Sequence, residues 1–313
     1  MADCHKLFQQ FNGKISIGDK KKKMKTSKNA LRDRIREWFR ENQPEYEPKF
    51  YIQGSHKMNT GIRTKEDICD LDDGVYFFRK PDVTGTTLQS WVKQAVDGYT
   101  DTPAGHRKKC VRSIFAGDYE IDNPVYYKDG DGPIMLAVKN ADFENSDPKA
   151  MVDWFNGFKD KNGQMIRTVM ALKAWGDNLN FKMPSGLAMT ILACNARSIV
   201  PHNDRDDIFL KDILKRIKSN LDIWFQCIVP VEPNDNLFAD YDQEKKDKIL
   251  QAFADFINDG ESALREENEL KASKLWAKHL GDRFPLGEDQ KQEQSDLSRA
   301  VAFGATGSKP WAR

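Results

Sequence analysis

The chain has 313 residues, 39% of them apolar, and sets 49 Lys and Arg against 48 Asp and Glu for a formal net charge of +1. That length can bury one large or two moderate cores, and the even charge balance argues against a global field that would draw in nucleic acid. No apolar run is long enough to span a bilayer, the start Met1-Ala-Asp-Cys-His-Lys lacks a leader's apolar region, and five scattered cysteines do not form a disulfide framework, so a soluble cytoplasmic enzyme with no membrane partner is expected.

The first dense feature is Lys20 to Lys23 with Lys25. It reads first as a solvated lead into a helix from about 27 to 42, whose Leu31, Ile35, Trp38 and Phe39 share one face as a spine for a sheet; the sharper alternative is a sensor patch for RNA or another ligand. The run Lys49-Phe-Tyr-Ile-Gln53 suits a strand, and Gly54-Ser55 ends it in a tight turn. Glycine lets backbone approach a phosphate closely, and the Ser55 hydroxyl can donate to one. Asp70 and Asp72 stand two residues apart where the chain enters a second strand, near 72 to 79, so both carboxylates should leave one face and Asp73 the other. Paired hard oxygen ligands suit Mg²⁺, which takes its remaining ligands from water and substrate phosphates.

Strands are predicted near 110 to 115, 118 to 127 and 133 to 138. A second ion needs a third acid, and Asp122 on the strand 118 to 127 is the candidate, with Glu120 on the same face by parity as the fallback. Such a site performs nucleotidyl transfer from a triphosphate. From Ser146-Asp-Pro148 the pattern turns helical, with helices predicted near 148 to 158, 164 to 179, 186 to 198, 206 to 221, 242 to 258 and 268 to 279. Lys173 sits at the edge of an apolar helix face, where a snorkelling surface lysine is one reading. Ser185 is the expected N-cap of the helix from 186, and a helix N-terminus attracts anions. The pair His106 and Cys110 has ligand-like spacing but no second pair, so no structural zinc is expected. Strands first and helices after make an α+β chain with its site between two lobes.

The order Gly-Ser, Asp-x-Asp, distant Asp resembles the DNA polymerase β-like nucleotidyltransferases. Within them, Gln53-Gly-Ser-His-Lys-Met-Asn-Thr60 and Asp70-Leu-Asp-Asp-Gly-Val-Tyr76 resemble the bacterial relatives of cyclic GMP-AMP synthase, the CD-NTases of anti-phage CBASS signalling. Pro230-Val-Glu-Pro233-Asn-Asp-Asn236 is similar to a turn of the 2′-5′ oligoadenylate synthetases, and Gly281-Asp-Arg-Phe-Pro285 to the family's closing motif.

The resemblance implies a polymerase β-like core with its spine helix over 1–147, an oligoadenylate synthetase-like helical lobe over 148–285, and a mobile tail over 286–313. It implies that Asp70, Asp72 and Asp122 are the catalytic metal ligands, that Gln53, Gly54, Ser55, Lys173 and Ser185 bind nucleotide, and that the cofactor is Mg²⁺, with Mn²⁺ as a substitute. The product would be a cyclic di- or trinucleotide made from ribonucleoside triphosphates, ATP and GTP foremost, with pyrophosphate released. By the same resemblance the tail is a handle for a regulatory or conjugating protein, and with no zinc ribbon DNA binding is not expected. Met58 stands where some relatives carry a tyrosine, which leaves base recognition open. The alternatives are a linear oligoadenylate synthetase, an enzyme modifying RNA or protein, and a silent nucleotide-sensing scaffold.

Overall fold

The computed structural model describes residues 2–289. In chain order the elements are α1 (His5–Ile15), α2 (Lys20–Asn42), β1 (Lys49–Gln53), α3 (Gly54–Met58), β2 (Cys69–Phe77), α4 (Gly85–Val96), β3 (Gly105–His106), β4 (Val111–Phe115), β5 (Tyr119–Asn123), β6 (Val125–Lys128), β7 (Ile134–Ala137) and β8 (Phe143–Asn145). Then follow α5 (Pro148–Asn156), α6 (Gln164–Asn178), α7 (Gly186–Arg197), α8 (Asp206–Ile223), α9 (Gln243–Arg265) and α10 (Glu269–Leu280).

The sheet runs β3-β4-β5-β2-β6-β7-β8, with β1 also paired to β2. β2 is its axis: it meets β1 antiparallel and β5 and β6 parallel. The single strand predicted over 118 to 127 is two, because Pro124 has no N–H to give the ladder; its carbonyl accepts from Val75 N at 2.9 Å instead, and the Asn123 amide donates to the Asp73 carbonyl at 2.8 Å. Helix α2 lays Leu31, Ile35 and Phe39 against Leu71, Val75 and Phe77 of β2, and α4 adds Leu88 and Val92. This spine begins at Lys20, not near 27, because Lys20 is anchored: its ammonium reaches the Asp118 carboxylate at 3.0 Å and the Asp67 carboxylate at 2.9 Å. The rest of the run splits, with Lys21, Lys22 and Lys25 exposed and Lys23 paired to Asp118 at 3.2 Å.

A second core gathers Trp175, Phe253, Phe256 and Trp276 from α6, α9 and α10. The unexpected α1 joins it through Phe8 and Phe11, so the chain's first helix packs with the late helices although the sheet lies between them in sequence. Helix α9 outruns the predicted 258 because Ile257 and Ala263 extend its buried stripe to Arg265. Beyond α10, Leu286 to Asp289 run along that helix: Gly287 N donates to Ser273 Oγ at 2.8 Å and Glu288 N to Glu269 at 3.1 Å. Residues 290–313, most of the expected tail, lie outside the described residues. Among the described residues no helix is long and apolar enough to cross a membrane.

Candidate active site

The register of β1 on β2 builds the centre of the site. Gln53 faces Asp72 across the ladder, so the turn that follows Gln53 lands beside that carboxylate. Gly54 takes a left-handed φ of +58°, and a Cβ there would overlap the Asp72 carboxylate; only glycine fits both demands. Alternation along β2 sends Asp70 and Asp72 into the cleft and Asp73 inward, where it is buried and accepts from Arg32 Nε of the spine at 2.7 Å. That buried pair fixes the facing of the strand, since a one-residue slip would leave Arg32 and Asp73 apart.

Electrostatics set the cleft apart from an ordinary acidic turn. Burial, with the neighbouring charges of Asp70 and Asp122, pushes the Asp72 carboxyl up to about 7. Burial pulls Lys173 down to about 8 against the opposing pull of Asp70 and Asp72. Its ammonium, reaching in from α6, donates to the Thr60 carbonyl at 3.0 Å and the Thr60 hydroxyl at 3.2 Å, and its stem lies along Gly186, where a Cβ would sit 3.1 Å from Lys173 Cε. It is therefore a half-buried cation held by Thr60 beside the carboxylates, not a snorkelling surface lysine.

Asp122 sits opposite Asp72 on the parallel neighbour β5. Its two oxygens are both taken by Arg112 of β4, at 2.7 Å each, and the same guanidinium pairs with Glu120. With Asp122 held this way beside Asp72, no three His, Cys, Asp or Glu side chains among the described residues form a ready-made metal cage. The donor set still fits a hard divalent cation. Asp70 and Asp72 offer two carboxylates opposed by the Lys173 ammonium, the hard oxygen donors that Mg²⁺ takes when a triphosphate completes its shell.

The surrounding cleft has a volume of about 710 Å³ and is lined by Gly54, Ser55, Asp70, Asp72 and Lys173 with loops from both halves of the chain. The Ser55 hydroxyl is buried without a hydrogen-bond partner, a costly state that a phosphate oxygen would relieve. Gln53 also borders the cleft, its amide donating to Tyr126 Oη at 2.8 Å and accepting from Tyr76 Oη at 3.0 Å. Ser185 caps α7 by accepting from Ala188 N at 3.2 Å, between the cleft-lining Pro184 and Gly186. Asn236 gives the proline-containing turn its physical role: its side-chain oxygen accepts from Cys227 N at 3.0 Å and Phe238 N at 3.1 Å, holding Val229, Val231 and Leu237 on the cleft wall. Among the described residues lining the cleft none is aromatic, and Met58 is a buried floor residue. Arg112 is the functional candidate that sequence patterning passed over. Its signal lay in the strand Val111-Arg-Ser-Ile-Phe115, where an arginine interrupts an apolar run.

Comparison with known proteins agrees with this geometry. Residues 48–126 match the family model described as cyclic GMP-AMP synthase DncV-like, nucleotidyltransferase domain, a span that holds the Gly-Ser turn and all three aspartates. A cyclic AMP-AMP-AMP synthase from an Acinetobacter species is 22% identical over 281 residues, covering 82% of this chain and 79% of that protein. The crystal structure of the Vibrio cholerae DncV cyclic AMP-GMP synthase superposes with a TM-score of 0.79 at 19% identity, covering 90% of this chain and 97% of that one. The same enzyme in complex with the linear intermediate 5′ pppA(3′,5′)pG gives 0.80 at 18% identity, covering 91% and 99%. The fold is therefore that of DncV over nearly the whole described chain.

Proposed function

From the premise that residues 48–126 are a DncV-like nucleotidyltransferase domain, we propose that this enzyme joins ribonucleoside triphosphates, ATP and GTP foremost, into a cyclic di- or trinucleotide, with Mg²⁺ as cofactor and an anti-phage signal as product. The observation that carries the reading is the conjunction at one cleft of Asp70 and Asp72, the half-buried cation Lys173 and the unpartnered Ser55 hydroxyl. It is supported by the names of the relatives, which are cyclic oligonucleotide synthases.

The chain's own groups divide the work. Ser55, the backbone freed by Gly54, and Lys173 bind the donor triphosphate and orient its α-phosphorus. A ribose hydroxyl of the acceptor gives up its proton to water and attacks that phosphorus; the bond to the bridging oxygen of the β-phosphate breaks, and pyrophosphate leaves. The linear product turns over in the cleft and the same step closes the ring. Asp70 and Asp72 would hold Mg²⁺, with Asp122 as the third ligand; when bound, the metal neutralises phosphate charge and makes the hydroxyl a better nucleophile. The aliphatic cleft wall of Val229, Val231 and Leu237 shields the bases without stacking rings. The test is incubation with all four ribonucleoside triphosphates and Mg²⁺ or Mn²⁺, reading phosphatase-resistant products by mass. A cyclic product absent from an Asp70→Ala/Asp72→Ala control supports the proposal; only linear products, or products indifferent to the substitutions, refute it.

A further inference from the structure

Four carboxylates crowd the paired strands β2 and β5: Asp70 and Asp72 in the cleft, with Glu120 and Asp122 opposite them in the ladder. Lys173 answers the first two from the α6 side. Arg112 answers the last two, and its register explains how: β4 runs antiparallel to β5 with Arg112 directly opposite Asp122. The guanidinium meets the Asp122 carboxylate in two parallel hydrogen bonds of 2.7 Å, while its remaining arm pairs with Glu120. Two-pronged arginine–carboxylate contacts are among the strongest in proteins.

We propose that Arg112 is a positioning residue that keeps Asp122 as a reserve ligand, occupying both of its oxygens until a divalent cation on the acceptor side competes for them. Asp70 and Asp72 are free to take the first ion with the donor triphosphate; Asp122 joins only by exchanging a guanidinium for a metal. The exchange orders assembly, because the third carboxylate is withheld until donor and first ion are in place. It also keeps Asp122 from standing as a third unpaired carboxylate beside Asp70 and Asp72, where mutual repulsion would be strong. The inference rests on the nucleotidyl-transfer reading only for the presence of the ion.

The experiment is a Mn²⁺ titration of the full-length protein, read by the electron paramagnetic resonance signal of the free ion, with and without adenosine 5′-[α,β-methylene]triphosphate, which cannot release pyrophosphate. In Arg112→Gln, Mn²⁺ should bind about tenfold more tightly than in wild type, since a competing cation of roughly 1.4 kcal/mol has gone. The gain should vanish in Arg112→Gln/Asp122→Asn. Arg112→Lys keeps the charge but not the two-pronged hold, so it should bind Mn²⁺ between the two, and it serves if the glutamine variant does not fold. In turnover, Arg112→Gln should lower kcat with KM for triphosphate unchanged. Equal or weaker Mn²⁺ binding in both variants, or a gain that survives Asp122→Asn, overturns the proposal, whereas a merely structural arginine would lower the melting temperature without tightening Mn²⁺. Because binding is read without turnover, a protein that makes no cyclic product leaves this result to stand or fall alone.

Discussion

Replacing Asp72 by Asn should stabilise the metal-free protein while abolishing its chemistry, and the size of the gain follows from the site. The Asp72 carboxyl is raised from 3.8 to about 7 by burial and by the charges of Asp70 and Asp122. In the unfolded chain it titrates near the ordinary value, so between those two pH values the folded state holds a proton that the unfolded state has released. Stability is then fullest below the unfolded pKa and falls as pH rises, by about 1.4 kcal/mol per pH unit, until the folded pKa is passed. The penalty is about 2 kcal/mol at pH 5 and levels off near 4 kcal/mol above pH 7. Asn carries no charge and escapes it at every pH. Urea unfolding in EDTA at pH 5, 6, 7 and 8 should show the advantage of Asp72→Asn growing to pH 7 and flat beyond. Saturating Mn²⁺ at pH 8 should then narrow the gap by stabilising only the wild type. A variant no more stable than wild type at pH 8, or one whose advantage does not change with pH, would refute the idea that the folded site stores unbalanced charge for a cation.

Other substitutions probe the neighbouring parts of the cleft. Gly54→Ala meets both a left-handed φ of +58° and the Asp72 carboxylate; it should cost about 1–3 kcal/mol of stability by thermal denaturation and reduce nucleotidyl transfer to background. Ser55→Ala removes a buried hydroxyl that has no partner, so the melting temperature should hold or rise, whereas triphosphate affinity by calorimetry should fall by about tenfold, the worth of one hydrogen bond to a charged group. Lys20→Met should cost about 1–3 kcal/mol, because it removes the buried ammonium that bridges Asp67 and Asp118 and leaves those carboxylates only their second partners, Arg63 and Lys23, while Lys21→Ala and Lys22→Ala should be neutral; equal effects at all three positions would return the lysine run to a uniformly solvated lead.

Local signals were legible and long-range register was not. Gly54-Ser55 and Asp70-x-Asp72 could be placed because each depends on one turn or one strand, and alternation on β2 decides which carboxylates share a face. The late helices could be placed because their apolar stripes and caps, such as Ser185 before α7 and Asp147 before α5, are written within each segment. The helix α4 was equally legible in principle, with Thr84 capping Thr87 N and Leu88 and Val92 one turn apart, and so was α1 through Leu7, Phe8, Phe11 and Ile15; both lay between stronger patterns. The partnership of Arg112 with Asp122 was a different matter. It depends on how β4 slides along β5, and no spacing within either strand carries that information. Lys20 is similar: its partners are 47 and 98 residues away, so a basic run read alone gives only a solvated helix start.

The closing motif supplies the last link between the two cores. Arg283 donates to the Arg63 carbonyl, in the loop before β2, and to Asp177 at 3.2 Å, on α6 four residues after Lys173; Asp177 in turn accepts from Lys65 N at 2.6 Å. Next to it, Phe284 packs edge-on against Phe8 of α1 with ring centres 4.9 Å apart. One short stretch thus ties the strand that carries Asp70 and Asp72 to the helix that carries Lys173, with Asp177 itself on the cleft wall. The distance between the carboxylates and the Lys173 ammonium is therefore set by covalently distant but directly bonded anchors, and the elements that could vary it are held by a salt bridge and aromatic packing. In the proposed reaction, two or three nucleotidyl transfers in this one cleft require the bound linear oligonucleotide to turn between them. A smooth wall of Val229, Val231 and Leu237 suits that turning better than stacked rings would, since aliphatic side chains exclude water from a base without fixing its plane.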